Sequence, residues 1–251
     1  MHPYQKAELL LKLRSQILAN EQAAVPPDAT TLSTGIPPLD GVLPSGGIRP
    51  GSLVEWLSEP GGGAQSLAML LVREACRTGR YAVVLDDGQF YPPAAALWGV
   101  PLQQLIIVRT PQPAEALWAA DQALRSPAVA AVWLHQDRLR PHDFRRLRLA
   151  AGAGTAIGLL FRPLRVHGQP SWADLQFAVK PLPSPQHRRL HVELTRCRGG
   201  NAGAEVNIEL ETCHEANPLS ASAPLARSAT ARRRAKSARP ADPAAAEIRP
   251  R

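Results

Sequence analysis

The chain predicts an α/β fold in which helices cover a mainly parallel sheet that antiparallel strands continue towards the C-terminus. Three observations carry this. Short apolar, β-rich runs alternate with helical periodicity between residues 53 and 161, the order that gives parallel strands joined by crossover helices. The run Leu53-Val54-Glu55-Trp56-Leu57 passes through Pro60-Gly61-Gly62-Gly63 into Leu67, Leu70, Leu71 and Ala75 at helical spacing, a strand, tight turn and helix start that directs backbone N–H groups at one point. Beyond residue 161, strand-like stretches follow one another with no helical pattern between them.

The 251 residues are 45% hydrophobic, enough for one substantial core. Residues 1–27 read as an N-terminal helix and linker, 28–214 as the core, and 215–251 as an Ala/Pro/Arg-rich tail. In the first, Leu9, Leu10, Leu13, Ile17 and Leu18 form one apolar face before Pro26 and Pro27; the stripe docks on its own core or on another molecule. The tail has no hydrophobic periodicity and is expected to be disordered, since it buries too little apolar area to offset its ordering entropy. It holds eight Lys/Arg against three Asp/Glu and so carries +5 of the net +8.

The core elements follow in order. Residues 81–85 form a strand, 92–97 a short helix, and 105–108 a strand. Pro113 suits a first helical position, and Leu117, Ala120 and Leu124 give that helix its stripe. A buried strand is expected at 129–134, a helix at 141–149 with Phe144 and Leu147 inward, and a strand at 157–161. The stretches 175–179, 190–195 and 206–210 are read as an antiparallel continuation. The longest apolar runs fall far short of the ~20 residues of a membrane span, and residues 1–20 lack a signal-peptide core, so the expected place is the cytoplasm. Cys76, Cys197 and Cys213 are too widely spaced for a Cys-x-x-Cys metal site.

The glycine turn resembles a phosphate loop, G-x-x-x-x-G-K-[ST], that has lost its chemistry. Gly63 keeps the last glycine, Ser58 stands for the first, Ala64 replaces the Lys that reaches the β/γ-phosphates, and Gln65 replaces the hydroxyl that holds Mg²⁺. Gly61, Gly62, Gly63, Ala64, Gln65 and Ser66 are therefore a degenerate phosphate loop. Without cation or metal ligand, phosphoryl transfer loses its main electrostatic support.

Ahead of that loop stand Ser33-Thr34-Gly35, Leu39-Asp40, Gly46-Gly47-Ile48 and Gly51-Ser52-Leu53-Val54-Glu55. This order resembles the start of the RecA-type ATPase core, and with a decayed loop it resembles the ImuA family, RecA-related (also called SulA-like) accessory proteins of a damage-inducible mutagenesis cassette. The resemblance runs from about residue 32 to 210 and implies a RecA-like core. Under it, the water-orienting carboxylate falls at Asp87, a vestigial position beside Asp86. The Mg²⁺-shell aspartate expected at the end of the 129–134 strand is absent, and so is the nucleotide-sensing glutamine after 157–161. The expectation is a pseudo-ATPase with no catalytic residues, no metal and no cofactor, weak nucleotide binding remaining open.

The seven histidines show no metal-ligand or catalytic spacing, and Cys197 has cationic neighbours but no identifiable base, which favours a structural cysteine. RecA's DNA-contacting loops are shortened here to 136–140 and 163–172. Arg138, Arg140, Arg145, Arg146, Arg148, Arg162 and Arg165, with Trp172 nearby in sequence, are candidate contacts to a phosphate backbone and one stacked base, against the alternative of a solvated helix face. Arg232, Arg233 and Arg234 in the tail are candidates for non-specific DNA contact. Leu10, Leu13 and Ile17 are candidates for partner docking.

The resemblance implies a non-catalytic accessory protein of SOS-inducible translesion synthesis, with an inactive Y-family polymerase-like protein (ImuB-like) and an error-prone polymerase as partners, RecA or self as further partners, and association with the nucleoid when DNA is damaged. A SulA-like inhibitor of cell division and a weak DNA-dependent ATPase are the alternatives.

Overall fold

The computed structural model of the chain describes residues 31–185 and 187–210. The candidate docking residues Leu10, Leu13 and Ile17, and Arg232, Arg233 and Arg234 of the basic cluster, lie outside the described residues.

One eight-stranded sheet forms the centre: β1 (Leu53–Leu57), β2 (Tyr81–Asp86), β3 (Leu105–Arg109), β4 (Val129–His135), β5 (Ile157–Arg162), β6 (Leu175–Leu182), β7 (Arg188–Cys197) and β8 (Ala204–Leu210). Their spatial order is β3-β2-β4-β5-β1-β6-β7-β8. All five residues of β1 and all six of β5 are buried, as continuous apolar runs require when both faces of a parallel sheet are covered. The helices are α1 (Pro37–Asp40), α2 (Ala64–Cys76), α3 (Pro92–Leu97), α4 (Pro113–Arg125) and α5 (Pro141–Ala153). Pro113 and Pro141 sit at helix starts, where their fixed φ is already helical and the missing N–H leaves no helical bond unmade.

Strand alternation sorts the side chains into two cores. Val54, Trp56, Val84, Trp133, Leu159 and Phe177 pack with Leu67, Leu71 and Ala75 of α2. On the other face Leu53, Val83, Leu85, Val132, Leu134 and Leu160 pack with Ala120 and Leu124 of α4 and with Phe144 and Leu147 of α5. Leu53 and Val54 point to opposite cores, as the two-residue period of a strand dictates.

The sequence expectation that 175–179 runs antiparallel is corrected. β6 is parallel to β1, with Val54 opposite Leu175 and Leu57 opposite Ala178, and the antiparallel strand pairings are β6–β7 and β7–β8. The missing helical pattern was misleading because a parallel connection needs only about a dozen residues to return along the sheet, whatever their secondary structure. Residues 163–174 supply that return with a single 3₁₀ turn at Leu164–Val166. No helix among the described residues is long and apolar enough to cross a membrane.

Candidate functional site: the degenerate phosphate cleft

β1 delivers the chain to the loop, and α2 begins at Ala64 with Gly63 as its N-cap. Gly63 has φ 100° and Gly61 φ 75°, left-handed backbone that glycine alone adopts freely. The loop is closed by a hydrogen bond from the Gly62 N–H to the Glu59 carbonyl at 2.8 Å. It lines a cleft of about 800 Å³ at the C-terminal ends of the parallel strands, with Asp86, Asp87, His135, Asp137, Arg162 and Arg188 among its walls. Clefts at this end of an open α/β sheet are where such folds bind ligands.

The positions of the two expected magnesium ligands meet in space. Gln65 Nε2 stands 3.1 Å from Nε2 of His135, the last residue of β4. Burial holds the His135 pKa below its ordinary value, with Asp87, Asp137 and Asp86 opposing. The Gln65 amide nitrogen can only donate, so this contact requires an unprotonated Nε2 with the ring proton on Nδ1. A neutral amide–imidazole bridge therefore occupies the place of a hydroxyl and a carboxylate, and Ala64, fully buried, leaves the loop without a cation of its own.

The acids beside it have separate duties. Asp86 is buried; its Oδ1 accepts the N–H groups of Gly88 and Phe90, both at 2.8 Å, and its Oδ2 accepts Arg109 Nε at 2.9 Å. Burial raises its pKa, but these bonds outweigh it and hold the carboxyl below the usual range. Asp86 thus shapes the turn. Asp87 is exposed, lines the cleft and takes Gln89 N at 3.3 Å and Gln89 Nε2 at 3.2 Å. Arg162 pairs with Glu55, Asp86 with Arg109 and Asp137 with Arg165. That leaves Glu59 and Asp87 against Arg188, a lining with no surplus positive charge for a polyphosphate.

β7 leans on the loop. Arg188 donates to the Gly61 carbonyl at 2.8 Å, and a Cβ placed on Gly63 would lie 2.4 Å from Leu190 Cδ2. The turn is therefore a packing joint between the parallel core and the C-terminal ribbon.

The arginine set divides. Arg162, read from the sequence as a DNA contact, is corrected: it is buried, and its Nη1 donates to Glu55 Oε1 at 2.8 Å. Arg148 is also corrected, since its Nε lies 2.7 Å from the buried carboxylate of Asp174. Arg146, with Arg125, is held on buried Asp121 at 3.2 Å. Each of these carboxylates needs its cation because an unpaired buried charge costs several kcal/mol. Arg138, Arg140, Arg145 and Arg165 remain exposed, although Arg165 reaches Asp137 at 3.0 Å and Arg140 reaches Asp143 at 3.8 Å. Arg145 lies over the half-exposed Trp172 ring, 5.6 Å from its centroid, which joins α5 to the 163–174 segment. Burial raises the Cys197 thiol despite Arg49 nearby, in keeping with a structural cysteine.

Sequence reasoning passed over Glu55, Arg188, Ser171 and Gln176. Glu55 did carry a signal, as the one charge in an otherwise apolar strand. The others reach their partners from more than a hundred residues away, a separation no local pattern encodes.

The fold and cleft define a RecA-like α/β protein with a glycine turn at the ligand-binding end of its sheet. A family model, the MT3502 N-terminal domain, matches residues 41–160. Protein ImuA of Caulobacter vibrioides is 27% identical over 212 residues, covering 75% of this chain and 87% of that relative. Protein RecA of Rubrobacter xylanophilus is 34% identical over 103 residues, 41% of this chain and 30% of the relative. Among solved structures, the RadB recombinase aligns with a TM-score of 0.58 at 17% identity, over 72% of this chain and 97% of that one, a likeness of fold. These matches bear out the resemblance to the ImuA family.

Proposed function

We propose that this protein is a non-catalytic accessory factor of damage-induced translesion DNA synthesis, acting through protein–protein contacts with an inactive Y-family polymerase-like protein and an error-prone polymerase, and through DNA. The observation that carries the non-catalytic part is the Gln65–His135 bridge: with Ala64 in the lysine position, neither the cation nor the metal shell of phosphoryl transfer has a donor. The similarity to ImuA over most of the chain supports the accessory role.

DNA contact falls to the exposed Arg138, Arg140, Arg145 and Arg165 with Trp172, and to the tail arginines, as sequence-independent phosphate contacts. The test is ATP turnover with Mg²⁺, with and without DNA, alongside a binding measurement with the polymerase-like partner. Turnover at the level of buffer, and partner binding indifferent to ATP, is expected. Mg²⁺-dependent turnover that disappears in Asp87→Asn would overturn the reading.

A further inference from the structure

Residues 163–174 leave β5 at the cleft end of the sheet and return to the opposite end, where the Asp174 N–H donates to the Leu53 carbonyl at 2.8 Å and the Leu53 N–H to Asp174 Oδ2 at 2.9 Å. They cross the sheet as a strap alongside α5. Beneath it lies Glu55, fully buried on β1. Its Oε1 accepts Arg162, the residue just before the strap, at 2.8 Å; its Oε2 accepts Ser171 Oγ near the far end at 2.6 Å and Gln176 Nε2 just past it at 2.7 Å. Gln176 is fixed in turn by Thr195 of β7, whose hydroxyl donates to Gln176 Oε1 at 2.8 Å. One carboxylate thus holds both ends of the crossover.

The middle of the strap is held differently. His167, Gly168, Gln169 and Pro170 are exposed, and beside them a cavity of about 960 Å³ separates His167–Ser171 from Glu193, Thr195 and Arg196 of β7. The segment has room to swing over the β6–β7 face. At its far end the strap is also tied to α5 by Asp174, 2.7 Å from Arg148 with both side chains largely buried; between Arg165 and Trp172, among the described residues, the side-chain ties to α5 and to the loop after β4 are at the surface: Arg165 on Asp137, with both side chains more than 60% exposed, and Trp172 under Arg145. Exposed pairs of this kind contribute little; hydrogen bonds to a buried charge contribute more.

We infer that the 163–174 crossover is a hinged strap latched by Glu55, in which Arg162 and Ser171 are positioning residues that fix where Arg165 and Trp172 are presented. Releasing the latch frees the strap while the sheet beneath stays formed. Arg162 lies in the cleft wall, so the latch also connects that wall to the surface bearing Trp172.

The test is hydrogen exchange on the full-length chain. Ser171→Ala removes one latch bond and keeps the charges balanced; exchange of strap amides should rise about tenfold, the factor expected when a hydrogen bond to a charged acceptor is lost in a locally opening segment, with β1 and β5 unchanged. Arg162→Gln should loosen the strap further, and Arg162→Lys, which keeps a cation for Glu55, should restore most of its protection. Unchanged strap exchange in Ser171→Ala, or a rise shared equally by β1 and β5, overturns the inference and leaves an ordinary buried ion pair. The same variants on single-stranded DNA address the proposed function, on which the strap does not depend: faster strap exchange with unaltered DNA affinity upholds the latch and removes Trp172 and Arg165 from the DNA surface.

Discussion

Gly63 and Gly61 lie two residues apart in the same turn, yet substitution should affect them very differently. Both have positive φ, 100° and 75°, and left-handed backbone costs an alanine ~1–2 kcal/mol at either site. Around Gly61 a new Cβ meets nothing within 4 Å, whereas at Gly63 it would stand 2.4 Å and 2.8 Å from the two methyl carbons of Leu190. Leu190 is fully buried, so it cannot swing clear, and overpacking a filled core adds ~1–3 kcal/mol. Gly61→Ala should therefore lose ~1–2 kcal/mol and Gly63→Ala ~2–5 kcal/mol, the latter range corresponding to a Tm lower by roughly 4–20 °C for a domain of this size. Thermal melts of the two variants give the comparison. Leu190→Ala in the Gly63→Ala background supplies the control: the pair should lose at least ~1 kcal/mol less than the sum of the single changes, because the smaller side chain vacates the space that the new methyl needs. Equal Tm values for the two glycine variants, or strict additivity in the double variant, would refute the account of the loop as a packing joint. The same clash makes Gly63 a poor place to inactivate any nucleotide site, since loss of fold and loss of binding would coincide.

Replacing Ala64 by Lys and Gln65 by Thr should not produce ATP turnover, because His135 still ends β4 where a metal-shell carboxylate is needed; Mg²⁺-dependent hydrolysis by this double variant counts against the assignment of that position. Removing residues 216–251 should weaken single- and double-stranded DNA binding alike and flatten the salt dependence, as lost phosphate contacts do; an unchanged salt slope moves DNA contact to the exposed arginines of the core. Leu13→Glu should cost ~2 kcal/mol or more in association with the polymerase-like partner or with a second copy if Leu10, Leu13 and Ile17 form a docking stripe, whereas a lower Tm of the isolated chain with binding intact assigns the stripe to its own core. Burial raises the Asp121 pKa, but bonds from Arg125 and Arg146 outweigh it and hold the folded-state value below the ordinary carboxylate range. Its contribution is present above the unfolded-state value of about 4 and is lost as pH falls through the depressed folded value. The Tm advantage of the wild type over Asp121→Asn should therefore shrink on acidification, and a difference constant with pH contradicts this pairing.

The sequence by itself determined the order of the elements and the departure of the glycine turn from the phosphate-loop pattern. Alternating strand and helix periods called for a parallel, helix-covered sheet; Pro113 marked a helix start; and Ala64 and Gln65, at fixed offsets from Gly63, depart from the Lys and Ser/Thr of a phosphate loop. These properties are local, set by residues within a turn or two of one another. Tertiary structure alone decided what fills the vacated positions and which charges are free. Gln65 meets His135 because the parallel strands β1 and β4 finish at the same end of the sheet, and β6 is parallel because the 163–174 segment returns along the sheet without a helix. Arg162 and Arg148 looked like Arg138 and Arg145 in sequence, but buried carboxylates on other elements, Glu55 and Asp174, claim them. An arginine's role follows from the cost of leaving its neighbour's charge buried and alone, and that cost exists only once the chain has folded.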